Sequence, residues 1–126
     1  MAPTLKHQFA ILGKNSLADI PNAIRINITN HPNHFTLALD LKKAFDTISR
    51  QHITSVLESI KNEYPQLAYY WNLIYSGPNR GLTRHGLEHH ATQGVLQGDA
   101  LATLFFCLGI NSALISTSQH LLSTDL

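Results

Sequence analysis

The stretch LALDLKKAFDTISR, Leu37–Arg50, decides how this chain is read. With the two residues before it, it alternates: Phe35, Leu37 and Leu39 point one way, Thr36, Ala38 and Asp40 the other. This period of two predicts a strand with one strongly apolar face. Asp40 is the last residue on the opposite face. Aspartate is disfavoured in strands, and a charge beside buried neighbours is costly. Asp40 is therefore either a turn or cap residue or a carboxylate whose charge is used. At the end of a strand it would be placed to hold a hard divalent cation, which takes oxygen ligands. One aspartate makes a poor site, since two-metal phosphoryl transfer needs further carboxylates close by. Asp46, six residues on, could support such a site or simply start a helix.

The totals narrow the choice. The 126 residues suffice for one domain and not for two. Apolar residues make up 44%, which supports a packed core and argues against wholesale disorder. A net charge of +1 is too small to hold a polynucleotide by electrostatics alone. Any nucleic-acid partner calls for more protein than this chain. Cys107 is the single cysteine, so no internal disulfide is available, and within an apolar run it reads as a small buried hydrophobe. The N-terminal MAPTLKHQFAILGKNS lacks the apolar core of a signal peptide, and the longest apolar run, 100–110, is too short to span a bilayer. The expectation is an intracellular protein that does not enter a membrane.

Local signals predict the remaining elements. Leu17, Ile20, Ile24 and Ile28 share one face of a helix over 16–30, with a capping box at Ser16 and Asp19 or, alternatively, Pro21 in the first turn. Ser49 caps a helix reaching about Asn62, with Ile53, Val56, Leu57 and Ile60 inward. Pro65 opens a third helix carrying Leu67, Tyr70, Trp71 and Ile74, which Gly77-Pro78 ends. A hairpin is predicted over 82–92, turning at His85-Gly86. Asp99 caps a last apolar helix from Ala100 to about Ile115, and the tail frays. The fold class is α+β, with an incomplete sheet.

Other constellations carry less. GVLQGD, Gly94–Asp99, places two glycines around a glutamine, which lets backbone approach a flat ligand while the amide donates and accepts. Taken alone, it is better explained as a glycine turn feeding a helix. Gly13-Lys14-Asn15-Ser16 fails as a phosphate loop because Gln8 stands where its first glycine belongs. His85, His89 and His90 lack the helical spacing and the cysteines of a metal site and read as hairpin surface.

Together the two weak signals become informative. LALDLKKAFDTISR resembles the first catalytic motif of the reverse transcriptases of non-LTR (LINE-type) retrotransposons. TQGVLQGDALATLFFCLGI, from Thr92 to Ile110, is similar to their next motif, a Gly-x-x-Gln-Gly-Asp-Pro-Leu pattern leading into an apolar helix. QFAILGKNSLADIPNAIR, Gln8–Arg25, looks like the fingers-side segment that precedes them. The resemblance spans roughly 8–115 and implies a partial right-hand polymerase: a fingers-side segment over 8–34, the first half of the palm over 35–115, and a tail over 116–126.

By that resemblance Asp40 is a catalytic metal ligand for Mg²⁺ (or Mn²⁺), assisted by the backbone carbonyl of Leu41. Phe45 closes off the space beside the sugar 2′ position and favours deoxynucleotides, and Ala44 keeps the turn compact. Gln97 and Gly98 lie along the incoming nucleotide and templating base. Lys42, Lys43 and Arg50 are solvated surface charges or contacts to the nucleic-acid backbone. The implied partners are an RNA template, a DNA primer and a deoxynucleoside triphosphate, and a nuclear site follows from the element's life cycle.

The departures matter. Leu96 replaces a residue that is often polar or basic, and Ala100 replaces the proline after Gln-Gly-Asp. No Asp-Asp pair occurs in the sequence, so the hairpin that completes the family's metal site is missing and the chain is expected to be an inactive fragment, with weak nucleic-acid binding. The alternative is a non-enzymatic α+β remnant or interaction module that self-associates through an exposed core. A sequence-independent RNA binder fits the small net charge less well.

Overall fold

The computed structural model describes residues 5, 7, 8, 16–82, 85, 86 and 88–123. The Gly13–Asn15 part of the rejected phosphate loop, most of the 8–15 stretch and part of the hairpin turn lie outside them. Along the chain run α1 (Ser16–Asn30), α2 (Ala44–Thr47), α3 (Arg50–Ser59), α4 (Pro65–Tyr75), β1 (Asn79–Leu82), β2 (Glu88–Ala91) and α5 (Ala102–Ser123). The architecture is α+β: packed helices with one two-stranded antiparallel sheet. The chain divides into two compact units, Met1–Lys42 with Ala113–Leu126, and Lys43–Ser112.

The second unit has a core built by local signals acting together. The Ser49 hydroxyl accepts from the His52 N–H at 3.1 Å and caps α3. α3 then buries Ile53 and Leu57. Pro65 opens α4, where its missing N–H costs nothing, and α4 buries Ala68, Trp71 and Tyr75 at steps of three and four. The Trp71 indole N–H donates to the Thr54 hydroxyl at 2.9 Å and ties α4 to α3. Phe105 of α5 sits at the centre, fully buried, with Trp71 edge-on at 4.9 Å and Tyr75 edge-on at 6.0 Å. Gly109 brings α5 close: a Cβ there would lie 2.5 Å from Ile48 Cδ1 and 2.8 Å from Ile53 Cγ1. Cys107 is buried, and burial pushes its thiol up, away from reactivity.

The hairpin is present but begins earlier than the sequence pattern predicts. Asn79 pairs with Ala91, Arg80 with His90, Gly81 with His89 and Leu82 with Glu88. Asn79 also donates from Nδ2 to the Ile74 carbonyl at 2.8 Å, closing the end of α4. α5 runs past the expected stop at Ile115 to Ser123, because 116–123 contains neither glycine nor proline to end it.

The first unit departs most from expectation. Residues 35–39 belong to no helix and no ladder, and Phe35, Leu37 and Leu39 are 72%, 68% and 78% exposed. The strand predicted over 35–40 is not formed. The α1 stripe is also uncovered, with Ile20, Ile24 and Ile28 all exposed. Pro21 lies inside α1 and not at its start, so the Leu17 carbonyl loses its helical donor. No described helix is long and apolar enough to cross a membrane.

Phe105→Ala is expected to cost about 3–5 kcal/mol, since it empties the centre of an aromatic cluster. Urea unfolding of the variant measures this directly, and a loss near zero would show that the core is organised elsewhere.

Candidate functional site

The two segments that carry the resemblance meet in the second unit, and the reason is hydrogen-bond satisfaction. Lys43 enters α2 in the left-handed region (φ 49°), and its carbonyl accepts from the N–H groups of Asp46 and Thr47. One turn later Ile48 is already extended, at ψ 142°, so the last carbonyls of α2 have no helical partners. Residues 93–95 supply them. Val95 N–H donates to Phe45 O at 2.7 Å, Gly94 N–H to Ile48 O at 3.0 Å, and the Gln93 side-chain amide to Thr47 O at 2.6 Å.

Gly94 is the point of closest approach. Its φ is +78°, and a Cβ would fall 2.5 Å from the carbonyl carbon and oxygen of Asp46 and closer still to Phe45 O. Only glycine meets both conditions. Arg50 locks the contact from the other side. Its Nε donates to Gly94 O at 2.7 Å, Nη1 reaches Gly77 O at 3.4 Å, and the guanidinium lies over the Tyr75 ring at 4.9 Å. Arg50, expected as a surface charge or a nucleic-acid contact, is half-buried, and its Nε and Nη1 bond backbone oxygens.

Leu96 to Asp99 forms the next feature, a turn closed by the Asp99 N–H donating to Leu96 O at 3.2 Å. Gly98 takes the positive φ (+96°) that its third position requires. Gln97 and Gly98 are exposed, and no atom lies within 4 Å of a Gly98 Cβ position. Both ends of the turn are held by one hydroxyl. Tyr75 Oη donates to Asp99 Oδ2 at 2.6 Å and accepts from the Leu96 N–H at 3.0 Å. Tyr70 Oη donates to Asp99 Oδ1 at 2.6 Å. The carboxylate also accepts from the Leu101 N–H at 3.3 Å, so the expected cap role is present but secondary.

These contacts set the local titration. Burial pushes the Asp99 carboxyl up, but the hydrogen bonds from Tyr70, Tyr75 and Leu101 together hold it below the usual 3.8. Burial, then the bond to Asp99, pushes the Tyr75 phenol up to about 12. Tyr70 is raised chiefly by its bond to Asp99. Sequence reading placed Tyr70 in a helix core and gave Tyr75 no part. Their separation of five along α4 was the available signal, and nothing local linked it to Asp99.

The remaining candidates fall into place unevenly. Ala44 and Phe45 are half-buried on α2, and the Phe45 ring stacks on Phe106 at 4.8 Å. Asp40, Leu41 and Lys42 belong to the first unit and are exposed, as is Lys43, which begins the second. Among the described residues no group of three His, Cys, Asp or Glu side chains could hold a metal ion. The residues present thus supply one carboxylate and one carbonyl to the Mg²⁺ site that the resemblance implies, which is not a complete ligand set. No protein-family model, curated protein or solved structure matches the chain.

Gly94→Ala is expected to cost about 3 kcal/mol or more, because strain at positive φ adds to a collision with rigid backbone. Gly98→Ala carries the strain alone and should cost about 1–2 kcal/mol. Equal losses in urea unfolding would contradict the close approach at Gly94. A second outcome concerns pH. The depressed Asp99 carboxyl stabilises the fold above its unfolded value near 3.8, and this is lost as pH falls through the folded value. The raised Tyr75 phenol stabilises below its ordinary 10.0, and this is lost as pH rises toward 12. Acidification should therefore destabilise the wild type more than Asp99→Asn, and parallel curves would show that Asp99 is not the group titrating.

Proposed function

We propose that this chain carries the first catalytic motif and the Gln-Gly motif of a retrotransposon reverse transcriptase of the LINE type. In such an enzyme a primer 3′-OH attacks the α-phosphate of a deoxynucleotide, with metal ions supplying charge stabilisation when bound. In this reading Asp40 and the Leu41 carbonyl are metal ligands, Ala44 and Phe45 border the sugar, and Gln97 with Gly98 face the nucleotide on the clamped turn. The RNA template, DNA primer and deoxynucleotide are the proposed partners. Lys42 and Lys43, both exposed, are the residues proposed for phosphate contacts, and Arg50, which bonds backbone oxygens, is the weaker candidate.

The observation that supports the reading is the docking of residues 93–95 on the end of α2. Two segments chosen for their resemblance, more than forty residues apart, share a set of backbone hydrogen bonds. An exposed Gln97-Gly98 pair with open space beside it is also what close approach by a flat ligand requires. A non-enzymatic interaction module is the second reading, favoured by the exposure of Phe35, Leu37 and Leu39.

The purified chain is expected not to extend a primed RNA template with Mg²⁺ or Mn²⁺, since it lacks an adjacent aspartate pair. A chimera that adds a palm hairpin bearing that pair should extend the primer and lose this activity on Asp40→Ala. Extension by the chain alone, abolished by Asp40→Ala, would refute the incomplete site. A folded but inert chimera would count against the polymerase reading itself.

A further inference from the structure

From Phe35 to Lys42 no backbone N–H or C=O is hydrogen-bonded among the described residues. Residues 35–39 belong to no helix and no ladder, and the three large apolar side chains are each about two-thirds or more exposed. A β-competent segment with both its polar backbone and its apolar face unused is an open template for another strand. We propose that a second copy of the chain completes it, the two Phe35–Leu39 segments pairing antiparallel about a two-fold axis at Leu37. The inference does not depend on the polymerase reading.

The sequence of the segment selects that occupant and that register. With Leu37 on the axis, Phe35 faces Leu39 twice and Leu37 faces itself, so every apolar side chain lies on one face of the ribbon. On the other face, Thr36 stands opposite Ala38 and His34 opposite Asp40, again twice. Imidazole keeps an N–H donor in either protonation state, and ionised carboxylate only accepts, so the His34–Asp40 pairs are complementary. The His34 ring is itself stacked on His31 at 4.5 Å.

Neighbouring registers are worse. A slip of one residue sends the two sets of apolar side chains to opposite faces. An axis at Ala38 sets His34 against Lys42. An axis at Thr36 sets Pro32, which has no N–H, into the ladder opposite Asp40. A self-complementary face is what a two-fold isologous contact demands. The pairing is short, so the dimer is weak and concentration-dependent.

Sedimentation equilibrium of the whole chain over a rising concentration series should show monomer passing to dimer. A chain that stays monomeric throughout, or one that assembles without limit, overturns the proposal. Leu37→Lys places two like charges on the axis and should weaken association about tenfold or more, with an unchanged circular dichroism spectrum because Leu37 is exposed. Association that survives Leu37→Lys but is lost in Ile24→Lys would assign the contact to α1 and overturn it as well. The register is read by oxidising Leu37→Cys and Ala38→Cys separately, each in a Cys107→Ala background. Directly opposed residues have Cα atoms about 4.5–5.5 Å apart, within disulfide reach, so cross-linking is expected at position 37. Faster cross-linking at 38, or none at either position in a chain that dimerises, overturns the register.

Discussion

The second unit depends on how a four-residue helix is finished. α2 is too short to satisfy its own carbonyls, and Ile48 leaves the helix at once in extended conformation. The N–H groups of residues 94 and 95 and the amide of Gln93 take over those acceptors. This fixes the 93–95 segment against α2, and Arg50 then closes the arrangement by bonding Gly94 O. Arg50 also reaches the Gly77 carbonyl and covers the Tyr75 ring, so the end of α4 is held to the same point. Removing the contact at Gly94 would strand several buried backbone groups at once, and each unmade bond costs more than a typical made one contributes.

From that point the effect reaches the turn at Gln97-Gly98. Tyr75 is packed against Phe105 and Trp71, so its hydroxyl is placed by the core. The same hydroxyl holds both the Leu96 N–H and the Asp99 carboxylate. The turn is thus presented on a fixed base although its two central residues are exposed. A second tyrosine on the same carboxylate adds to the hydrogen bonds that hold its pKa below the ordinary value against the effect of burial. Loop precision of this kind is what a binding site needs, and it arises here from core packing.

Much of the helical framework was legible because its signals are local. Ser49 as an N-cap, Pro65 at a first turn and Gly77-Pro78 as a stop act within a few residues, and α3 and α4 follow them. The alternating segment at 35–39 shows the limit. Alternation describes the side chains of a strand and says nothing about a neighbour to pair with, and here none is present among the described residues. The isoleucine stripe of α1 fails for the same reason, since periodicity names a face without naming what covers it. Arg50, Tyr70 and Tyr75 escaped because their roles depend on contacts 24 to 44 residues away. Glycine at positions 94 and 98 was conspicuous in the sequence, but its two uses differ: a backbone collision avoided at Gly94, a turn conformation alone at Gly98.

Asp40 is exposed and lies outside any helix or ladder. As an exposed residue beside an unpaired segment it carries no burial penalty, so the fold by itself gives no reason for the charge. The penalty arises only when the segment is covered. A strand laid against residues 35–39 would desolvate the end of the ladder and would have to compensate the carboxylate there. A cation bound to Asp40 and the Leu41 carbonyl would do this, and so would the His34 imidazole of an antiparallel copy. Both lead to the same physical requirement: whatever completes the apolar face of Phe35, Leu37 and Leu39 must also bring a positive charge or a donor to Asp40. On either proposal the carboxylate would select among partners for the segment, which would account for an aspartate at the end of this alternating run.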